Sequence, residues 1–139
     1  MRVFLDASVL IWAVERPDSN SARIVGLALS GKVNAVVDEV VLSEVARFFR
    51  AQRGRSFAWL YSQQVRRVAT VLTEADCVNQ LEALKGRLKP SDRLHLAAAR
   101  AAGARVFIAL DADFSEFPEY LTPQQAAKRL GLRVSPTDW

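Results

Sequence analysis

The sequence predicts an α/β domain built on a mostly parallel sheet. Short apolar runs of the kind that form buried strands alternate with amphipathic segments long enough to form helices, which is typical of parallel sheets. Two apolar runs end on an acid, at Asp6 and Asp111, and parallel sheets bind ligands at the carboxyl ends of their strands. The 139 residues are enough for one hydrophobic core, so we expect a single domain over residues 1–139.

The first half of the chain contains two predicted strands and three predicted helices. In order, these are a strand at residues 2–6, a helix at 8–15, a helix at 19–30, a strand at 34–37 and a helix from 38 to about 52. Pro17 ends the first helix, because proline cannot continue the backbone hydrogen bonds. Ser19 is a typical N-terminal cap of the second helix, Gly31 stops that helix, and Asp38 opens the third.

The second half repeats the alternation after a break at residues 53–56, which read Arg-Gly-Arg-Ser. It contains a helix at 57–69, a strand near 68–72, a helix from 73 or 74 to about 87, a helix at 90–102, a strand at 105–110 and a helix at 122–130. Pro90 and Pro123 mark helix starts, and Gly103 ends the helix before the last predicted strand. Residues from about 132 to 139 are expected to be irregular.

The composition favours a soluble protein with a polyanionic partner. The net charge is +4 and the sequence pI is about 9.7, although net charge alone is weak evidence for nucleic acid. The apolar runs are shorter than the ~20 residues that span a membrane, and the start of the chain does not resemble a signal peptide. We therefore expect a cytoplasmic protein with no membrane partner. The single cysteine, Cys77, suits a reducing compartment.

Two acids in the first half are candidate functional residues. Asp6 ends a strand, where it would face a ligand crevice, although aspartate at this place also caps helices. Glu44 lies beside the apolar face of its helix, three residues after Val41, so burial would require a partner. A metal ion and an arginine are the two partners that the sequence leaves open.

Three further acids lie in the second half. Asp92 is in the first turn of a helix, where the helix dipole alone favours a carboxylate. Asp111 and Asp113 follow the last predicted strand as a D-x-D pair, which suits metal binding but is also ordinary in turns. Acids that converge at one sheet edge repel, so a cation or protonation must hold them together. Oxygen ligands alone select a hard ion, which predicts Mg²⁺ or Mn²⁺ rather than Zn²⁺.

The order and spacing of these residues resemble the PIN-domain nucleases, and within them the VapC-like toxins of toxin–antitoxin pairs. The matching segments are residues 3–11 (VFLDASVLI), 42–45 (LSEV), 91–99 (SDRLHLAAA) and 106–114 (VFIALDADF). The similarity covers about residues 2 to 130. It implies a Rossmann-like α/β/α sandwich, a carboxylate site for one or two divalent ions, and hydrolysis of RNA. It also implies a homodimer and a cognate antitoxin that covers the acidic cleft.

The resemblance also implies roles for the acids. Asp6, Glu44, Asp92 and Asp111 match the catalytic acids of the family, and Asp113 matches an additional acid that some members have. The implied metal ligands are Asp6, Asp92 and Asp111, with Asp113 in reserve. Glu44 would act through a bound water or orient the nucleophile, which is water that the metal activates.

Two neighbouring positions qualify this pattern. Ser8 matches a small hydroxyl or amide residue that the family has two positions after the first acid. Ala109 departs from the Thr or Ser that is common two positions before the last acid. The missing hydroxyl would shift part of the fourth-ligand role to Asp113, although Asp111 ranks first.

Other conspicuous residues are interpreted more plainly. The only histidine, His95, is expected to be a structural residue outside the mechanism. A basic stripe after Glu44 would contact RNA, or else form a solvated or antitoxin-binding face, and it comprises Arg47, Arg50, Arg53 and Arg55. Trp59 and Tyr61 would stack on bases or belong to the core.

Two other functions remain as alternatives. Aspartyl-phosphate enzymes of the haloacid-dehalogenase type also place an aspartate at the end of the first strand, but they need a second aspartate where this chain has Ser8. A PIN module that only binds RNA or a protein partner is the non-enzymatic alternative. Retention of all four acids argues against it.

Overall fold

Five parallel strands form one sheet with β1 (Arg2–Leu5) at its centre in this computed structural model, which describes residues 1–138. The other strands are β2 (Asn34–Asp38), β3 (Thr70–Leu72), β4 (Val106–Ile108) and β5 (Tyr120–Leu121). Their order across the sheet is β3-β2-β1-β4-β5. The α-helices are α1 (Ala7–Glu15), α2 (Asn20–Leu29), α3 (Glu39–Arg53), α4 (Arg55–Val68), α5 (Val78–Ala83), α6 (Pro90–Ala101) and α7 (Pro123–Arg129). Among residues 1–138, no helix combines the length and the apolar character needed to cross a membrane.

Helices cover both faces of the sheet, because successive residues of a strand point to opposite sides. Phe4 of β1 faces α6, where its ring lies 6.1 Å from the ring of His95. Val3 faces the other side and lines a small space together with Ala126 of α7. The predicted fold class, an α/β sandwich with a mostly parallel sheet, is therefore confirmed, and every strand pair is in fact parallel.

The core combines apolar strand residues with a run of alanines on α6. The rings of Phe4 and Phe107 stack 4.9 Å apart on adjacent strands. Ala97, Ala98 and Ala99 are completely buried, and such small side chains let α6 pack closely against the sheet at β2. This packing holds the first turn of α6, which carries Asp92, in a fixed place.

The strand register brings the carboxyl ends of β1 and β4 together. Leu5 pairs with Ile108, and the N–H of Asp6 donates to the carbonyl oxygen of Ile108 at 3.0 Å. Asp6 therefore lies beside the segment that follows β4 and leads to Asp111. Two neighbouring strands thus deliver acids to one edge of the sheet, as the sequence predicts.

The structure differs from the predicted elements mainly between β3 and α6. The helix predicted from residue 73 or 74 to about 87 is a 3-10 helix, Glu74–Cys77, followed by the short α5. The chain then passes through Gly86 and Leu88, whose φ angles of 80° and 61° a right-handed helix cannot contain.

Two smaller differences concern other segments. The predicted break at residues 53–56 shrinks to Gly54, whose φ of 88° lets α4 begin directly after it. The sequence does not predict β5, because a strand of two residues is too short to show an alternating pattern.

The C-terminal segment has no helix or strand between residues 131 and 138, yet it is anchored to the start of α2. Asp138 is 2% exposed, and its carboxylate accepts hydrogen bonds from the N–H of Asn20 at 2.6 Å and of Ser21 at 3.0 Å. The Ser21 hydroxyl donates to the same carboxylate at 2.7 Å, and the Asn20 amide donates to the carbonyl of Ser135 at 2.8 Å. Trp139, which also belongs to the predicted irregular tail, lies outside the described residues.

Asp138→Ala is expected to destabilise the protein by about 3 kcal/mol, because buried N–H groups at the start of α2 lose their acceptor. Urea denaturation of the two proteins measures this difference in the free energy of unfolding. Asp18→Ala is the control: this exposed carboxylate accepts from the Thr137 hydroxyl at 3.0 Å, so we expect a loss below about 1 kcal/mol. An equally small loss for Asp138→Ala would contradict the anchoring role.

Candidate metal centre

The first acid of the site, Asp6, is fixed by hydrogen bonds at the end of β1. Its Oδ2 accepts from the N–H of Ser8 at 3.2 Å and from the Ser8 hydroxyl at 2.6 Å, so that it caps α1. The Ser8 oxygen in turn accepts from the N–H of Leu110 at 3.1 Å. Ser8 thus links the ends of β1 and β4, and both interpretations of Asp6 hold, since it caps a helix and also lies in the acidic cleft.

One oxygen of Asp92 is left without a partner. Asp92 is buried, and within residues 1–138 its Oδ2 accepts no hydrogen bond. The ammonium of Lys89, whose side chain is 64% exposed, forms a long ion pair with this oxygen at 3.7 Å, beyond hydrogen-bonding distance. Leaving a buried acceptor unpaired costs about 1–3 kcal/mol, and more if it is charged. This oxygen is therefore a free ligand atom.

Asp92, Asp111 and Asp113 form a compact group of acids. One carboxylate oxygen from each lies within 4.8 Å of the other two. Asp111 caps the 3-10 helix Ala112–Phe114, and its Oδ1 accepts from the N–H of Asp113 at 2.9 Å. Three carboxylate oxygens this close together are suitable ligands for a hard divalent cation, and one of them is buried with no hydrogen bond.

Burial raises the pKa values of Asp6 and Asp92. For Asp6 burial is the largest effect, and the hydrogen bonds from Ser8 and the charge of His95 oppose it. For Asp92 burial is again the largest effect. The charge of Lys89 opposes it, and the neighbouring Asp111 adds to it. Burial destabilises the ionised form of both carboxylates, and a bound cation would offset this cost.

The only histidine of the chain lies in the middle of the other acids. The Nδ1 of His95 is 2.5 Å from Oδ2 of Asp38, and its Nε2 is 3.1 Å from Oε1 of Glu44. The same Nε2 lies 3.9 Å from Oδ1 of Asp6. Burial by itself would lower the pKa of His95, but the hydrogen bonds to Asp38 and Glu44 and the charges of Asp38 and Asp6 raise it to about 10. The carboxylates around His95 therefore favour its protonated form.

The structure brings the five predicted acids to one edge of the sheet in two connected groups. Asp92, Asp111 and Asp113 form the compact group, whereas Asp6 and Glu44 are joined through His95. Of the four predicted metal ligands, Asp6 lies outside the 4.8 Å group, although its charge acts on Asp92.

Sequence reasoning missed a sixth acid, Asp38. It appeared only as the start of α3, and it does cap that helix by accepting from the N–H of Val41 at 2.7 Å. The available signal was its position at the end of β2, because the rule that singles out Asp6 and Asp111 applies there too. The partner of Glu44 is also new, since it is His95 rather than the arginine or metal ion that the sequence left open.

The sequence matches the family model described as PIN domain over residues 3–120. The chain belongs to the PIN domain family. PIN nucleases bind divalent metal ions through acidic residues, and this chain contains such a group of acids. A comparison with curated proteins gave no match.

Solved structures of toxin–antitoxin proteins have a fold similar to that of this PIN domain. VapBC2 from Rickettsia felis, bound to a promoter DNA fragment, has a TM-score of 0.67 at 15% identity, over 88% of this chain and 97% of that one. A toxin–antitoxin complex from Klebsiella pneumoniae has a TM-score of 0.69 at 16% identity, over 87% and 97%. Mycobacterium tuberculosis VapC20, described as a sarcin-ricin loop cleaving toxin, has a TM-score of 0.61 at 18% identity, over 84% and 95%. Identities this low show a shared fold.

Tyr120 of this PIN domain lies beside the position where the sequence lacks the usual hydroxyl. Ala109 is completely buried, and its carbonyl oxygen accepts from the Tyr120 hydroxyl at 3.1 Å. Burial raises the pKa of Tyr120, and the charges of Asp111 and Asp6 raise it further. A phenol therefore lies near the two strand-end acids.

The predicted basic stripe of the PIN domain is divided between two surfaces. Arg50 and Arg55 line a groove of about 450 Å³ between α3 and α4, together with Trp59, which is 63% exposed. Arg53 instead turns toward α1 and lies 3.4 Å from Glu15. Tyr61 is buried and donates to the carbonyl of Leu10 at 2.7 Å, so it belongs to the core and cannot stack on a base.

Proposed function

We propose that this protein is a metal-dependent endoribonuclease and the toxin of a toxin–antitoxin pair. The observation that carries the proposal is the buried, unpaired oxygen of Asp92 beside Asp111 and Asp113 in a PIN domain. The alternative, a PIN module that only binds RNA or protein, has no use for such an oxygen. The catalytic unit is one domain that spans residues 1–139.

Asp92, Asp111 and Asp113 would hold the ion, with Asp6 on the neighbouring strand end. Mg²⁺ and Mn²⁺ both suit carboxylate oxygens, and Mg²⁺ is our first choice. When bound, the ion would lower the pKa of a water molecule and neutralise charge on the scissile phosphate.

The other site residues hold this cleft in shape and move protons. Ser8 fixes Asp6 by donating to Oδ2, which leaves Oδ1 free toward the cleft. Glu44 accepts from His95 through Oε1, and its Oε2 remains available to accept a proton from water. Glu44 is about one third exposed, so water reaches it.

Arginines on α3 and α4 suit the polyanionic substrate. Arg47 and Arg50 are exposed on the helix that carries Glu44, and Arg55 and Trp59 follow in the adjoining groove. Arginines neutralise phosphates and an exposed tryptophan stacks on a base, so this surface would bind single-stranded RNA. The sarcin-ricin loop cleavage ascribed to VapC20 supports an RNA substrate.

The partners follow from the solved relatives. The similar structures from Rickettsia felis and Klebsiella pneumoniae are toxin–antitoxin complexes, which supports a cognate antitoxin for this chain. We further propose a homodimer that acts in the cytoplasm.

RNA cleavage by the purified protein tests the proposal. We expect cleavage with Mg²⁺ or Mn²⁺, none with EDTA, and a loss of at least ~100-fold in Asp6→Asn, because the cleft loses a charge that helps to hold the cation. Thermal unfolding shows that the variant folds. Glu116→Gln, which alters an exposed carboxylate paired with Arg87, is the control and should keep full activity. RNA binding without cleavage under either ion would favour the non-enzymatic module.

A further inference from the structure

A buried chain of hydrogen bonds connects the second strand to the acidic cleft. Asp38 and His95 are 0% and 1% exposed, and they are joined through Nδ1 of the ring at 2.5 Å. The other ring nitrogen reaches Glu44 at 3.1 Å. Glu44 is about one third exposed, so the chain runs from the core to the edge of the cleft.

Carboxylates determine which atoms of the ring carry protons. An ionised carboxylate can only accept hydrogen bonds, so an imidazole between two of them must donate from both nitrogens. Nδ1 faces Asp38 and Nε2 faces Glu44, with Oδ1 of Asp6 at 3.9 Å from the same nitrogen. The ring is therefore oriented so that each nitrogen has its own carboxylate partner.

The backbone holds the buried end of the chain rigidly. Asp38 ends β2, and its Oδ1 accepts from the N–H of Val41 at 2.7 Å, so this side chain cannot turn away from the ring. Glu44 is on the helix that Asp38 caps, five residues after its first residue, Glu39, and its carboxylate accepts no hydrogen bond from the described backbone. Asp38 is thus held by the backbone, and His95 connects it to Glu44.

We propose that His95 is a positioning residue, which Asp38 orients and which holds Glu44 at the cleft for the reaction proposed above. This positioning role rests on the proposed function only where it concerns RNA cleavage. The hydrogen-bond chain itself is a property of the folded protein without RNA. A purely structural histidine would stabilise the core but would not act on catalysis through Glu44.

NMR of the protein without a histidine tag tests this chain of hydrogen bonds directly. His95 is the only histidine in the sequence, so it gives the only imidazole signals. We expect two ring N–H protons, both protected from exchange with solvent. Glu44→Gln should shift the Nε2–H signal more than the Nδ1–H signal, and Asp38→Asn should do the reverse. A single ring N–H, or signals that ignore both substitutions, would overturn the proposal.

A pair of matched variants separates the two nitrogens. In His95→Asn the new amide nitrogen replaces Nδ1 and keeps the bond to Asp38, whereas in His95→Gln it replaces Nε2 and keeps the bond to Glu44. We expect kcat to fall about 10- to 100-fold in His95→Asn, with KM changed less than about threefold, and to recover partly in His95→Gln. Equal losses in the two variants would overturn the proposal.

A double-mutant cycle asks whether His95 acts through Glu44. If it does, His95→Asn should cost little further activity in a Glu44→Gln background, because the group that it positions is already altered. Independent, additive losses would assign His95 a structural role only. If His95→Asn fails to fold, the cycle is run with Asp38→Asn, which removes the carboxylate that orients the ring.

Mn²⁺ binding in the absence of RNA separates failure of this proposal from failure of the proposed function. Asp38→Asn should weaken Mn²⁺ binding by about 10-fold, because the ring that faces Asp6 and Glu44 loses its orientation. Asp138→Asn is the matched control: it alters another buried, helix-capping aspartate, lowers stability and should leave Mn²⁺ affinity unchanged. If the protein cleaves no RNA but Asp38→Asn still binds Mn²⁺ more weakly than Asp138→Asn, only the proposed nuclease function is refuted. Equal affinities in the two variants refute the positioning role.

Discussion

Asp92→Asn is expected to lower metal-dependent RNA cleavage by at least about 100-fold and to leave the protein without metal as stable as the parent, or more so. The loss of activity follows because the substitution replaces the unpaired Oδ2 or its neighbour with an amide nitrogen, which cannot bind a cation. The stability follows because burial and the charge of Asp111 disfavour the ionised carboxylate more than the charges of Lys89 and His95 favour it. Few substitutions at a buried charged residue are expected to be this harmless to the fold.

Three measurements check this result: RNA cleavage, Mn²⁺ affinity, and thermal unfolding in EDTA. Glu39→Gln is the matched control, because Glu39 is also an acid in the first turn of a helix, where it forms an exposed ion pair with Arg66 at 2.7 Å. We expect unchanged cleavage and unchanged Mn²⁺ affinity in this variant. A destabilised Asp92→Asn protein with normal Mn²⁺ affinity would show that Asp92 only supports the helix.

The sequence predicted the acids whose positions follow from local rules. Asp6 directly follows β1, and Asp111 lies three residues after β4, which ends at Ile108 rather than at the predicted residue 110. The geometry of parallel sheets places such residues at one edge. Asp92 carried no such signal, because the helix dipole alone explains an acid in a first turn. Only the packing of α6 against the sheet shows that one of its oxygens is buried and unpaired.

The part of the site around His95 could not be predicted, because contacts between distant residues create it. His95 lies 57 residues from Asp38 and 51 from Glu44 along the chain. A lone histidine on a buried helix face has the same local pattern whether it meets a carbonyl oxygen or two carboxylates. Asp38 was hidden for a related reason, since capping α3 is a sufficient explanation until the ring is seen at its second oxygen.

The fold was predictable where the local pattern is long and failed where it is short. Helices α1, α2, α3 and α6 have clear caps or apolar stripes, and their predicted bounds agree with the structure to within a residue or two. The segment between α5 and α6 has helix-forming residues, but its turn at Gly86 and Leu88 depends on the tertiary fold.

Asp111→Asn is expected to reduce RNA cleavage by about 100-fold, and Asp113→Asn by no more than about 10-fold. Asp111 is half-buried and caps a 3-10 helix, so its oxygens are held in place, and its charge acts on both Asp92 and Tyr120. Asp113 is exposed, and a water molecule can replace a ligand on the exposed side of a Mg²⁺ ion. In Asp111→Asn the amide oxygen can still accept from the N–H of Asp113, so the fold should survive.

Cleavage rates at saturating Mn²⁺, together with Mn²⁺ affinities, distinguish the two acids. Asp76→Asn is the control, because Asp76 is likewise an exposed acid in a 3-10 helix, where it accepts from Thr73 at 2.8 Å, and it lies outside the acidic group. A larger loss for Asp113→Asn than for Asp111→Asn would reverse their roles. The physical reason would then be Ala109, because without a hydroxyl at that position Asp111 has one fewer group to orient its free oxygen, and the more mobile Asp113 would supply the ligand instead.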